Sequence, residues 1–219
     1  GEVTVDGSGS TWTISGYHHP ELYVGYYGQG TLNITNGGAV SNTHGNIGFW
    51  ASSTGEVTVD GSGSTWTNSG SLYVGSYGQG TLNITDGGTV SNTKGYIGYH
   101  SDSTGYWPDS TGEVTVDGSG STWTNSDDLY VGDEGQGTLN ITNGGVVSST
   151  SGYIGDDSGS TGEVTVDGSG STWTNSDRLY VGNYGQGTLN ITNGGAVSNT
   201  YGRIGYGSGS GVVTVDGSG

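Results

Sequence analysis

Residues 57–75 read VTVDGSGSTWTNSGSLYVG, and six residues later positions 82–98 read LNITDGGTVSNTKGYIG. The two stretches share one skeleton. Each holds three short segments of β-branched and aromatic residues: VTV, STWT and LYV in the first, LNI, TVS and GYI in the second. Gly, Asn, Asp and Ser separate the segments. That is strand and turn chemistry three times per half-unit of about 25 residues. No segment carries a 3.6-residue apolar period, and 49 glycines disfavour helix throughout.

The pattern recurs along the chain. VTVDGSG begins at Val3, Val57, Val114, Val164 and Val213, at spacings of 54, 57, 50 and 49 residues. GQGTLNIT recurs with its leucine at Leu32, Leu82, Leu139 and Leu189, which is 25 residues after the first string in three repeats and 29 in the opening one. The unit of about 50 is a tandem of two halves, with repeats near 1–54, 55–111, 112–161 and 162–210 and a partial one at 211–219. Insertions lie near 16–21 and 99–111. Three strands per half-unit, stacked by repetition without helix, predict an all-β, single-stranded, three-faced parallel β-helix (a β-solenoid) over 1–219. It is expected to be right-handed, with about eight coils plus a terminal strand. Parallel pairing at about 4.8 Å makes the stack roughly 40 Å tall.

Alternation assigns the interior. The valines of VTV, the leucine and isoleucine of LNI, and the leucine and valine of LYV point inward. Trp12, Trp66, Trp123 and Trp173 recur once per two coils and are placed inside, over Val40, Val90, Val147 and Val197, so that large sits on small. The aspartates of VDG alternate with threonines up the stack and read as turn formers. A ladder of corner glycines, Gly25, Gly48, Gly75, Gly98, Gly132, Gly155, Gly182 and Gly205, is expected at a corner that needs positive φ or has no room for a Cβ.

Composition excludes several functions. The chain of 219 residues has 20 acidic and 3 basic residues and a net charge of −17, too few cations to neutralise a nucleic-acid backbone. No apolar run approaches the roughly 20 residues of a membrane helix, so no membrane insertion is expected within this segment. There is no cysteine, hence no disulfide, zinc–thiolate site or thiol nucleophile. The chain begins without Met, read as a processed product or an excised segment. Val213 onward begins a ninth coil, which is read as a cut segment or a fibre subunit whose partner is a further copy of itself.

The pattern GEVTVDGSGSTWTNS, LYVG, GQGTLNITNGG, VS and IG resembles the autotransporter/PEP-CTERM-associated repeat, which occurs in tandem in large bacterial cell-surface and secreted proteins. The resemblance covers nearly the whole chain. It implies an extracellular or cell-surface β-helical stalk or adhesin passenger, without enzyme activity or transferable catalytic residues.

Differences between repeats mark candidate functional positions. Variation concentrates on the third face and its loops. The outward strand position reads Tyr23, Asn46, Tyr73, Tyr96, Tyr130, Tyr153, Tyr180 and Arg203. The two residues after each corner glycine read Tyr26-Tyr27, Phe49-Trp50, Ser76-Tyr77, Tyr99-His100, Asp133-Glu134, Asp156-Asp157, Asn183-Tyr184 and Tyr206-Gly207. The strand tyrosines read as a stacking ladder. Tyr26, Tyr27, Phe49, Trp50, Tyr106 and Trp107 are not dictated by the repeat, so they carry two readings: packing, or contact with a partner such as a cell-surface glycan. Asp133, Glu134, Asp156 and Asp157 should meet at one corner. They form either a solvated corner or a calcium site, since a hard cation with six to eight oxygen ligands relieves such repulsion. No cofactor is required. Paired carboxylates also raise a polysaccharide-active enzyme as a weaker reading. His18, His19, His44 and His100 read as loop residues. The principal reading is a rigid stalk or fibre segment; the alternative is an adhesin that binds glycan through the aromatic stripe.

Overall fold

A computed structural model describes residues 1–16, 20–100 and 110–217. The described residues contain strands and turns and no helix. One full unit runs Thr54–Asp60, Thr65–Asn68 and Leu72–Val74, then Gln79–Thr85, Thr89–Asn92 and Gly95–Ile97. Each strand pairs in parallel with its counterpart one half-unit away. The result is three sheets, of nine, eight and eight strands, that wind together as eight coils and a terminal strand at Ser210–Asp216.

The two kinds of half-unit are alternating rungs of one stack. Val57 lies beside Leu82 and Val59 beside Ile84, and Leu82 in turn lies beside Val114. This register continues through both insertions. Gln79 pairs with Thr111 although they are 32 residues apart, against 25 for the equivalent pair Gln136 and Thr161, because the insertion is closed at its neck. The Ser110 N–H donates to the His100 carbonyl at 3.0 Å, and the His100 N–H donates to Ser110 Oγ at 3.0 Å.

The inward positions are the expected ones. Val57, Val59, Leu82, Ile84, Leu72, Val74 and Ile97, with their equivalents in the central coils, have no solvent-accessible surface. Each such side chain contributes roughly 1.5–3 kcal/mol through burial. Trp66, Trp123 and Trp173 are fully buried beside Val90 and Val147, while Trp12, in the first coil, is only partly covered. The indole has a second small partner that valine alone did not foretell. Its far edge crosses the interior to a third-face glycine: a Cβ on Gly95 would stand 2.8 Å from Trp123 Cζ2 and 2.9 Å from Leu129 Cδ1. Leucine and glycine therefore alternate on that face, as in the pairings of Gly95 with Leu72 and Leu129, and make room for one tryptophan per two coils.

A buried polar ladder serves the indoles. Trp66 Nε1–H donates to Asn42 Oδ1 at 2.7 Å, and Asn42 Nδ2–H donates to Asn68 Oδ1 at 2.6 Å. Trp123, Asn92 and Asn125 repeat the arrangement at 2.7 and 2.6 Å. Ser149 takes the asparagine's place for Trp173. These asparagines follow Trp and Val at the same offset, a signal already present in TWTN and VSN. The VDG aspartates also do more than form turns. Asp6 Oδ1 accepts from Thr35 Oγ1 at 2.6 Å and Asn36 Nδ2 at 2.7 Å, across the coil boundary. Asp60, Asp117 and Asp167 accept from the threonine of the following coil in the same way. The hydrogen bonds from Thr and Asn hold the Asp6 and Asp167 carboxyls below their ordinary range.

Candidate functional site

The invariant corner glycine sets the geometry of the variable face. Gly132 has φ of 69°, and a Cβ there would lie 2.5 Å from the Thr161 carbonyl carbon. The chain therefore turns sharply after every third-face strand, and the two residues after the glycine leave the coil at the same place each time. Phe49 N–H donates to the Gly25 carbonyl at 2.9 Å and Trp50 N–H to the Tyr26 carbonyl at 3.1 Å, so like positions stack vertically. The third face thus carries three columns: the outward strand position and the two positions after the glycine.

In the lower coils these columns bring four of the six candidate aromatics together. Tyr26 stacks on Phe49 at 5.1 Å between ring centroids, and Tyr27 on Trp50 at 5.7 Å. Trp50 continues onto Tyr77 at 6.0 Å, and Tyr77 meets the His100 ring at 4.5 Å. Tyr27 is 72% exposed and Trp50 41%, so their rings stack on each other while remaining open to solvent. Tyr106 and Trp107 lie outside the described residues, as do His18 and His19.

The strand tyrosines form the expected ladder. Tyr73, Tyr96, Tyr130, Tyr153 and Tyr180 stack at 4.9, 5.0, 4.8 and 5.0 Å with nearly parallel planes. Arg203 ends the ladder, with its guanidinium carbon 5.3 Å from the Tyr180 centroid and 4.7 Å from that of Tyr206. Burial, followed by neighbouring carboxylates and phenols, holds Tyr96 and Tyr130 above the ordinary phenol range. Tyr23 stands apart from the ladder because Asn46 occupies the intervening rung.

Asp133, Glu134, Asp156 and Asp157 do meet at one corner: Asp157 N–H donates to the Asp133 carbonyl at 2.8 Å. Their side chains are drawn to different neighbours. Asn183 Nδ2–H donates to Asp156 Oδ1 at 2.7 Å, and Glu134 Oε2 lies 3.1 Å from His100 Nδ1. Among the described residues, no three His, Cys, Asp or Glu side chains converge on a point suited to a metal ion. Asp133 is half-buried, which the reading of a merely solvated corner missed. Burial, then Asp156, Asp157 and Glu134, push its carboxyl up to about 7, against a smaller opposing effect of Lys94.

The raised acid has a stability consequence. In the folded chain Asp133 takes up its proton near pH 7, and in the unfolded chain only near the ordinary 3.8. Its contribution to folding is therefore most favourable at low pH and declines as pH rises from about 4 to about 7. Urea unfolding at pH 5 and pH 8 is expected to show a stability about 2–3 kcal/mol lower at pH 8. Asp133→Asn removes most of that difference; an unchanged difference rules Asp133 out as its source.

No family model matches the chain, and no curated protein does either. The resemblance to the autotransporter/PEP-CTERM-associated repeat thus stands on the quoted motifs. Among solved structures, the crystal structure of the TibC-catalysed hyper-glycosylated TibA 55–350 fragment is similar, with 98% of this chain and 89% of that one covered, 18% identity and a TM-score of 0.30. A likeness of that degree carries no argument about function.

Proposed function

We propose that this chain is a rigid stalk or fibre segment of a bacterial surface or secreted protein, with extracellular localisation. The observation that carries the reading is the unbroken register of the three sheets among the described residues, kept across insertions of different length. Such a stack transmits force through backbone ladders that run its whole length. Its partners along the axis are further coils, of its own chain or of another copy. Single-molecule pulling tests the reading. Extension is expected in steps of about 25 residues, roughly 85 Å of contour each, as coils peel off in turn. Release of the whole chain in one low-force event overturns it.

A second reading, an adhesin that binds glycan through the aromatic stripe, draws support from the solvent-open Tyr27–Trp50 stack. Aromatic planes suit the C–H faces of sugar rings. A glycan array probed with the parent chain and with Trp50→Ala is expected to show signal for the parent and loss in the variant. Absence of any signal for the parent leaves the stalk alone. A polysaccharide-active enzyme gains nothing from the acidic corner, where Asn183 engages Asp156 and His100 lies beside Glu134.

A further inference from the structure

The aromatic face has one vacant rung. In the strand column Asn46 stands where Tyr73, Tyr96, Tyr130, Tyr153 and Tyr180 stand elsewhere, and in the adjoining column Ser76 stands between Phe49 and Tyr99. The two small residues are neighbours: Ser76 Oγ–H donates to Asn46 Oδ1 at 3.2 Å. Together they leave an open groove of about 390 Å³, walled by Tyr23, Phe49, Tyr73, Tyr77 and Tyr99 and rimmed by Glu21 and His44.

The opening has the dimensions of a single ring. Successive tyrosines of the ladder are 4.8–5.0 Å apart, so Tyr23 and Tyr73, two rungs apart, leave roughly 9–10 Å. The floor is polar and almost fully covered by protein, with Asn46 5% and Ser76 2% exposed. Asn46 Oδ1 is engaged by Ser76, while its Nδ2 has no hydrogen-bond partner among the described residues. At the rim, Glu21 accepts the Tyr23 hydroxyl, and His44 Nδ1 accepts the Ser71 N–H at 3.0 Å, so both groups are held in place.

We propose that this notch is a binding site for one uncharged pyranose ring of a glycan, seated between the Tyr23 and Tyr73 levels over the Asn46–Ser76 floor. The proposal rests on the adhesin reading and names the seat and the sugar class. Aromatic walls take the C–H faces of the ring, and the asparagine amide and the carboxylate at the rim take its hydroxyls. A flat apolar ring leaves the Asn46 amide nitrogen without a partner, which is unfavourable for a buried polar group. Anionic sugars are disfavoured by Glu21 and by the chain's net charge of −17.

The test uses the whole chain and free methyl glucopyranoside, methyl galactopyranoside, methyl mannopyranoside and N-acetylglucosamine, read by saturation-transfer NMR. At least one is expected to bind saturably, with a dissociation constant of about 1–10 mM, and glucuronate is not. Asn46→Tyr restores the ladder residue and fills the rung; it is expected to weaken binding at least tenfold without lowering the melting temperature. Ser76→Tyr blocks the notch from the neighbouring column and provides the same readout should the first variant misfold. Tyr184→Ala, an exposed aromatic outside both the notch and the Tyr27–Trp50 stack, is expected to retain binding. Binding that survives both tyrosine variants but is lost in Trp50→Ala overturns the notch and leaves the stripe. Array signal for the parent without binding of any pyranoside overturns the notch and leaves the adhesin reading; absence of both overturns both. Equal binding of glucuronate, or binding of N-acetyl-tyrosinamide alone, overturns the sugar class.

Discussion

Replacing Gly132 by alanine is expected to break the stack at that coil. Two separate penalties combine. The φ of 69° is left-handed and costs a residue with a Cβ about 1–2 kcal/mol. The Cβ would also stand 2.5 Å from the Thr161 carbonyl carbon and 2.9 Å from the Gly162 nitrogen, both backbone atoms of the next first-face strand. Neither can move without opening the pairing of Gln136–Thr142 with Thr161–Asp167. The Gly132 N–H donates to the Ile97 carbonyl at 2.8 Å, so a displaced corner also loosens the coil before it. The expected loss exceeds about 4 kcal/mol, the range reserved for core overpacking combined with backbone strain. Hydrogen exchange should show lost protection in the coils on both sides and protection retained further along. Gly168→Ala is the control. Its φ of 89° is also positive, but the nearest atom to its Cβ would be Asn143 N at 3.7 Å, so only the conformational cost remains. Equal effects at the two positions would show that the corner's crowding contributes nothing.

Trp123→Ala is expected to cost about 3–5 kcal/mol. The side chain is fully buried and spans the interior from Val90 and Val147 to Gly95. No neighbour is poised to fill the hole, because the small residues around it are small on account of the indole. Loss of Nε1–H also strips Asn92 Oδ1 of its donor at 2.7 Å, deep in the core. Trp123→Phe separates the two contributions. It keeps most of the volume and removes the donor, and should cost about 1–3 kcal/mol. Because each coil touches only its neighbours, the damage should be local. Amide protection should fall around Val90 and Val147 and persist near Leu32. A phenylalanine variant as stable as the parent would show that the Asn92 bond contributes nothing net.

The fold was legible because its information is short-range and repeated. Alternation in VTV, LNI and LYV determines which side chains face inward, and a recurrence near 25 residues places equal strands side by side. Once Val57 is set beside Leu82, the tyrosine ladder, the acidic corner and the stripe of Tyr26, Tyr27, Phe49 and Trp50 follow as vertical columns. Strand alternation places Trp66, Trp123 and Trp173 inside, against valine; the glycine on the opposite face is not legible in it, because that contact crosses the coil.

The amino-acid order alone determined the architecture of this protein: a helical stack of three-strand coils whose interior is apolar and whose variable residues share one side. Tertiary structure alone decided how far each polar group is covered and what each ring faces. Asp133 was legible as a charge, yet its half-burial depends on the flanking columns. Asn46 and Ser76 were legible as two departures from aromatic columns, yet that they adjoin and hydrogen-bond at the floor of one groove emerges only when the coils are laid on each other. The physical reason is the same in both cases. Backbone pairing depends on residue type at fixed spacing, whereas burial and side-chain contact depend on the shapes of neighbours some 25–30 residues away, which no local pattern encodes.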